Sequence, residues 1–226
     1  MAKDYSEDLL IQKSTAELLE KELGWHSVYA YDSEVLGEQG TLGRKSQREV
    51  VLTRHLKLAL KRLNPWMNEK QMTEAVERMT EYKSSQTLIQ INEEKYGYVR
   101  DGVPVTRVKQ DGTTETVRAR VIDFAVADNN EFIAVRELWI KGAIYKRRAD
   151  VVCYVNGLPL IFIELKNHDQ DIQNAYTDNY RDYLDTIPHL FHHNAMIMLS
   201  NGMESRVGTV GAKWEFFHEW KRLTET

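Results

Sequence analysis

The chain has 226 residues, 42% of them hydrophobic and with 5 Trp and 11 Tyr, which is enough to bury one sizeable core. Its net charge of −4 argues against a protein that binds nucleic acid through bulk positive charge, and its single cysteine excludes an intrachain disulfide framework or a zinc knuckle. No secretory leader pattern and no apolar run of roughly 18 residues occurs, so the expectation is a cytoplasmic chain with no membrane partner.

The elements are expected in the following order. Asp4 and Glu7 have the spacing of a capping box, and Leu9, Leu10, Ala16, Leu18, Leu19 and Leu23 recur at helical spacing up to a stop at Gly24. Ser46 and Glu49 are expected to cap a second helix with the stripe Val50, Leu52, Leu56, Leu60 and Leu63, ending at Asn64-Pro65 because the residue before proline disfavours helix. A third helix is expected around Met72 to Tyr82. From Leu88 the pattern reads as period two, in "TLIQI", "YGYVRDGVPV" and "TVRARVIDF", with Asp-Gly pairs between, which predicts hairpins. "EFIAVRELWI", "ADVVCYV" and "PLIFIELK" follow as strands, then a helix from about Asp171 to Ile187, a strand "AMIMLS" and a mixed tail. Cys153, inside a strand-like run, reads as a buried thiol, and the cationic stretch "KGAIYKRR" from Lys141 to Arg148 as either a solvated face or a surface for phosphates.

Asp150, Glu164 and Lys166 stand at the ends of two apolar runs, where ionised groups are costly unless paired or bound to a metal. Their relation depends on the hairpin register. A two-residue Asn156-Gly157 loop sets Asp150 opposite Ile163 and on the other face from Glu164. A three-residue loop Val155-Asn156-Gly157, with Gly157 left-handed, pairs Asp150 with Phe162 and makes Asp150 and Glu164 diagonal neighbours on one face. In that register Lys166 joins them, and the two carboxylates with the Leu165 backbone carbonyl form a hard oxygen cage for Mg²⁺. Such a cation polarises a scissile phosphate and lowers the pKa of bound water, with Lys166 placed to orient that water. The plainer reading of the same residues is a half-exposed cross-strand ion pair.

Of the remaining polar residues, His189, His192 and His193 lack a carboxylate or cysteine partner, which favours a loop or packing role, and Glu7 or Glu17 could reach the site from the first helix.

The stretch "VIDFAVADNNEFIAVRELWIKGAIYKRRADVVCYVNGLPLIFIELKN" resembles the N-terminal nuclease domain of type I restriction enzyme R subunits, as do "GRKSQREVVLTRHLKLALKRLNP" upstream and "YRDYLDTIPHLFHHNAMIMLSNGMESRVG" downstream. The resemblance implies an α/β (α+β) PD-(D/E)xK restriction-endonuclease-like fold, a central mixed sheet flanked by helices with N-terminal helical elements. It makes residues 1–226 a single endonuclease domain with its nuclease core at about 131–200. It implies a Mg²⁺-dependent DNA endonuclease in which Mn²⁺ can substitute, with Asp150, Glu164 and Lys166 catalytic, Asp150, Glu164 and the Leu165 carbonyl on the metal, and Asn179 and Tyr183 positioning DNA. Two positions depart from the family pattern: Ala149 replaces a proline and Asn179 a glutamine. The implied partners are double-stranded DNA, modification and specificity subunits, and helicase-like motor domains. ATP would serve only those motor domains, since no G-x4-G-K-[ST] loop occurs here. The other function class is a catalytically weak docking or DNA-positioning domain that keeps the nuclease fold for subunit assembly.

Overall fold

The computed structural model describes residues 7–221, with side chains from Gln12 onward, so Asp4 lies outside the described residues. Helix α1 (Glu7–Leu23) ends where expected, at Gly24, whose left-handed backbone (φ +69°) lets its N–H reach the Glu20 carbonyl. A short strand β1 (His26–Tyr29) follows.

Helix α2 (Thr53–Leu63) begins later than the sequence suggests and is not capped by Ser46 and Glu49. Those two side chains instead close a local turn, accepting from the backbone N–H groups of Arg48 and Lys45. Helix α3 (Glu69–Thr80) carries a capping box built from Asn68 and Gln71.

The largest correction falls on residues 88–101, which form helix α4 (Leu88–Asp101) and not a strand. Thr87 and Gln90 supply a second capping box, and Gly102 (φ +88°) ends the helix where the Asp-Gly pair reads as a hairpin turn. Its buried positions include Lys95, whose ammonium donates to the Arg78 and Glu81 carbonyls and so closes the end of α3. A charged residue in the buried stripe conceals the helical period. The hairpin that does follow pairs β2 (Val103–Val108) with β3 (Thr114–Ala119) as a separate two-stranded sheet.

Among the described residues the main sheet has seven strands in the order β1-β4-β5-β6-β7-β8-β9. Its central members are β4 (Phe132–Lys141), β5 (Lys146–Val155), β6 (Leu158–Leu165) and β7 (Met196–Ser200), with β8 (Ser205–Gly208) and β9 (His218–Glu219) at one edge. The β1–β4 and β6–β7 pairs are parallel and the others antiparallel. A large core on one side joins Leu56 and Leu60 of α2 and Met79 of α3 to Val135, Leu138, Phe162 and Phe191. A smaller one joins Ala134, Val151, Cys153, Ile163 and Leu165 to Leu19 of α1 and to Trp25.

The β5–β6 turn is the two-residue Asn156-Gly157, not the three-residue loop, because Val155 pairs with Leu158 and both turn residues are left-handed (φ +51° and +82°). The surroundings leave no other choice. A Cβ on Gly157 would meet the Leu52 carbonyl at 2.4 Å, and the buried Asn156 amide donates to the Val121 carbonyl and accepts from Glu131 N–H and Arg62. A β-bulge then moves the register by one residue: Tyr154 pairs with Pro159 but Cys153 with Ile161, leaving Leu160 as the extra residue. Val151 therefore faces Ile163, and one step further Asp150 faces Glu164.

The segment expected as one helix from Asp171 to Ile187 contains a π-helical turn at Ala175–Tyr180, continued by α5 (Arg181–Thr186).

Candidate active site

The acids meet on β5 between two antiparallel ladders. On the β6 side the bulge-shifted register carries Asp150 to the level of Glu164; on the β4 side an unshifted register sets Asp150 across from Glu137, the single pair over which the β4–β5 ladder is interrupted. Ile133, Val135, Leu138 and Ile140 all reach the large core, as do Ala149, Val152 and Tyr154, so strict alternation slips by one residue in both strands at Glu137 and Asp150. Glu137 itself is left-handed (φ +57°) and 2% exposed. A non-glycine residue held there costs on the order of 1–3 kcal/mol, and such strain persists where the surroundings over-determine it. Here Arg148 Nε holds Glu137 Oε2 at 2.7 Å.

Asp150 is fixed through both carboxylate oxygens: Gln12 Nε2 of α1 donates to Oδ1 at 3.0 Å, and the Leu165 N–H donates to Oδ2 at 2.8 Å. Burial pushes its pKa up to about 7 against the lowering effect of the Leu165 N–H, with Glu137 adding to the rise. Glu164 is 1% exposed and raised well above the usual carboxylate range, by burial first and by Asp150 second, against the pull of Lys166. One of its oxygens, Oε2, is buried with no hydrogen-bond partner, as is Gln12 Oε1. Orphaned acceptors beside two carboxyl groups whose ionisation burial disfavours fit the oxygen chemistry of a cation site. No set of three His, Cys, Asp or Glu side chains among the described residues has metal-ligand geometry. A cation here would accordingly be held by Asp150, Glu164 and a backbone carbonyl with water filling its shell, the habit of Mg²⁺.

Lys166 follows the end of β6, its N–H bonded to the Ser200 carbonyl. Its ammonium donates to Asn179 Oδ1 at 2.5 Å. Asn179 sits in the π-helical turn, and Tyr183 of α5 is buried with its hydroxyl donating to the Arg148 carbonyl at 2.7 Å. Burial and the neighbouring Glu164 and Asp150 raise the Tyr183 phenol. The five side chains singled out in the sequence are thus brought to one region, while Leu165 contributes its N–H to Asp150.

Two residues of this region escape the sequence reading. Glu137 is recoverable by counting back from the Lys141–Lys146 pair that closes the β4–β5 hairpin, which places it across from Asp150. Gln12 carries no such signal, since α1 reaches Asp150 with an amide where an acid was sought. Glu17 instead pairs with Lys13 and Lys21 at the surface, and the side chain of Glu7 lies outside the described residues.

The histidines lie elsewhere. His189, His192 and His193 line a pocket of about 650 Å³ together with Arg48, Lys141 and Tyr82. Burial lowers His189 and His192 to about 4 and His193 to about 3, and His193 Nε2 lies 2.7 Å from the Met79 carbonyl. The Cys153 thiol is buried and pushed up to about 12, as an inert packing residue would be. No described helix is long and apolar enough to cross a membrane.

A central mixed sheet flanked by helices, with an aspartate on one strand and Glu-x-Lys at the end of the next, defines the class of PD-(D/E)xK-like nuclease folds. Within that class, residues 4–216 match the family described as type I restriction enzyme R protein N terminus, and the chain belongs to that family. It is 32% identical over 221 residues to the type I restriction enzyme HindI endonuclease subunit of Haemophilus influenzae, covering 95% of this chain and 20% of that protein. It is 25% identical over 221 residues to the putative type I restriction enzyme MjaIXP endonuclease subunit of Methanocaldococcus jannaschii (96% and 20% covered). It is 28% identical over 189 residues to the SauMSSORF170P endonuclease subunit of Staphylococcus aureus (81% and 19%). The chain therefore spans about a fifth of the length of these relatives.

Proposed function

We propose that this chain is the Mg²⁺-dependent DNA endonuclease domain of a type I restriction enzyme R subunit. It would hydrolyse phosphodiester bonds of double-stranded DNA brought to it by ATP-driven motor domains, in a complex with modification and specificity subunits. The observation that carries the reading is the buried, unpartnered Glu164 oxygen beside Asp150 and Lys166. As an ordinary surface ion pair these residues would be exposed and mutually satisfied; instead Glu164 is buried, Asp150 is half-buried, and both acids are raised.

In this reading Asp150, Glu164 and the Leu165 carbonyl hold Mg²⁺, or Mn²⁺ in its place. When bound, the ion supplies charge stabilisation at the scissile phosphate. Gln12 and the Leu165 N–H keep the Asp150 carboxylate in one orientation. Lys166, aimed by Asn179, presents its ammonium to the attacking water and to the negative charge that grows on the phosphate oxygens. Tyr183 anchors the helix that carries Asn179 to the β5 backbone at Arg148.

The test is made in the full-length subunit assembled with its partners. Lys166→Ala, Asp150→Ala and Glu164→Ala should each abolish double-strand breaks while ATP hydrolysis and translocation continue. Undiminished cutting by Lys166→Ala would sink the assignment and leave the docking-domain reading in its place.

A further inference from the structure

The cationic stretch Lys141–Arg148 plays no part in holding the acids apart from the Arg148–Glu137 bond, yet its side chains are ordered in a specific way. Register pairs Trp139 with Arg148 and Lys141 with Lys146 across the β4–β5 hairpin. The Lys146 ammonium lies 4.1 Å from the centre of the Trp139 ring, and the Arg148 guanidinium lies 5.1 Å from Tyr31 and 5.8 Å from Trp139. Tyr31 and Trp139 stack at 6.2 Å, and Trp139 Nε1 donates to the Tyr31 carbonyl. Arg147, between the two cations, goes elsewhere and pairs with Asp182. Lys146 and Arg148 are thus two exposed cations lying on one aromatic bed.

Three features point to phosphates as their ligand. A carboxylate cluster in a chain of net charge −4 repels a polyanion, so a DNA strand needs local positive charge to approach it. Cations stacked on rings keep their charge and outward hydrogen-bonding capacity while part of the rotamer entropy of a free lysine or arginine is already spent. Alternate residues on a strand are about 6.6 Å apart, close to the spacing of successive phosphates along one DNA strand, and Asp150 comes two residues after Arg148. Arg148 also touches Glu137, which faces Asp150, so the bed runs directly into the acid site.

We propose that Lys146 and Arg148, held by Trp139 and Tyr31, bind the phosphates of duplex DNA that adjoin the one at the acid site. This rests on the nuclease reading for what lies at Asp150, but it is tested without cleavage. Binding of a short duplex to the 226-residue chain is measured in EDTA across 50–200 mM salt. Each phosphate contact contributes about 0.9 to the slope of log affinity against log salt. Lys146→Gln should lower that slope by about 0.9, which makes the loss of affinity across this salt range about threefold smaller than in the unmodified chain. Tyr31→Leu should keep the slope and weaken binding severalfold, since it removes half of the bed and no charge. Lys70→Gln, an exposed cation on α3, should change neither. An unchanged slope in Lys146→Gln, an equal fall in Lys70→Gln, or no salt-dependent binding at all would overturn the proposal. Metal binding at Asp150 and loss of cutting in Lys166→Ala would still stand, so the two readings fail separately.

Discussion

The acid site at β5–β6 and the histidine pocket at residues 189–193 both bury titratable groups, and burial acts on them with opposite consequences. At neutral pH a buried imidazole is already in the form that burial favours, and His193 Nε2 bonds to the Met79 carbonyl, although His193 Nδ1 and His189 Nε2 are, like the Glu164 oxygen, buried without a partner. The carboxylates differ. Asp150 and Glu164 are pushed toward their protonated forms while one Glu164 oxygen has no partner, and in the proposed function a bound cation would favour their ionised forms and occupy that oxygen. The number of ionisable residues does not separate a functional cluster from a structural one. What does is whether the form favoured by burial is the form present at working pH.

The largest expected effect that breaks or confirms this contrast is metal-linked stability. Mn²⁺ at a hundredfold over its dissociation constant should stabilise the chain by about 2.7 kcal/mol, and Asp150→Asn should remove most of that gain. Without metal, Asp150 has a folded pKa of about 7 against about 3.9 unfolded, so its contribution is fully present below about pH 4 and is lost as pH rises through about 7. The metal-free Asp150→Asn chain should therefore be more stable than the unmodified chain at pH 7.5 and should lack that decline. Denaturant titrations from pH 4 to 8 measure both effects, read as the difference between the unmodified and Asp150→Asn chains so that the buried histidines cancel; a metal-free difference that does not change with pH across that window would refute the buried-acid account.

At the histidine pocket the sign reverses. His193 has a folded pKa of about 3 against about 6.5 unfolded, so its contribution is present above about pH 6.5 and is lost as pH falls toward 3. His193→Leu should cost about 2 kcal/mol at neutral pH by stranding the Met79 carbonyl, and should flatten the acid side of the same profile. It should leave Mn²⁺ stabilisation unchanged. A loss of metal response in this variant would join two regions that the structure keeps apart.

Much of the contrast was legible in the sequence, but not by the route first expected. Asp150 and Glu164 do lie beside one another, although not through the loop invoked for it: the turn has two residues, and the bulge at Leu160 restores what such a turn would otherwise undo. Bulges have no reliable signature in one sequence, though Pro159, which cannot donate to a ladder, marks where pairing is irregular. Helix α4 is hidden in the sequence because Lys95 breaks its apolar stripe and because Asp101-Gly102 resembles a hairpin turn, whereas the Thr87–Gln90 capping box is visible there. The lack of a carboxylate or cysteine partner for the three histidines was likewise readable, and it is consistent with their place in a separate pocket.

Glu137 sharpens the comparison at a smaller scale. Glu137→Gln keeps the shape and removes a negative charge that raises both neighbouring acids. It also frees Arg148 from its buried partner. Residues that support metal ligands typically change affinity 10–100-fold when altered, so a loss of about tenfold in Mn²⁺ affinity is expected, read by calorimetry. An unchanged affinity would make Glu137 a strand-bending residue only.

The smallest effect concerns Asn179, one methylene shorter than the glutamine that the family resemblance implies. Asn179 sits where the helix widens: Arg181 N–H bonds to the Tyr176 carbonyl, five residues back, and from within that π-helical turn Asn179 reaches the Lys166 ammonium, so the expectation is that the wider turn compensates for the shorter side chain. Asn179→Ala should lower the cleavage rate of the assembled enzyme about tenfold, the worth of one hydrogen bond to a charged group that is partly replaced by water. Asn179→Gln should lower it less, because the longer amide must fold back to make the same contact across a helix already widened for the shorter one. If the glutamine variant cut faster than the unmodified enzyme, the π-helical turn would not be compensating for the short side chain. If the alanine variant cut at full rate, Lys166 would be aimed by the β6 backbone alone, and the Asn179 contact would be a consequence of the lysine's position with no part in setting it.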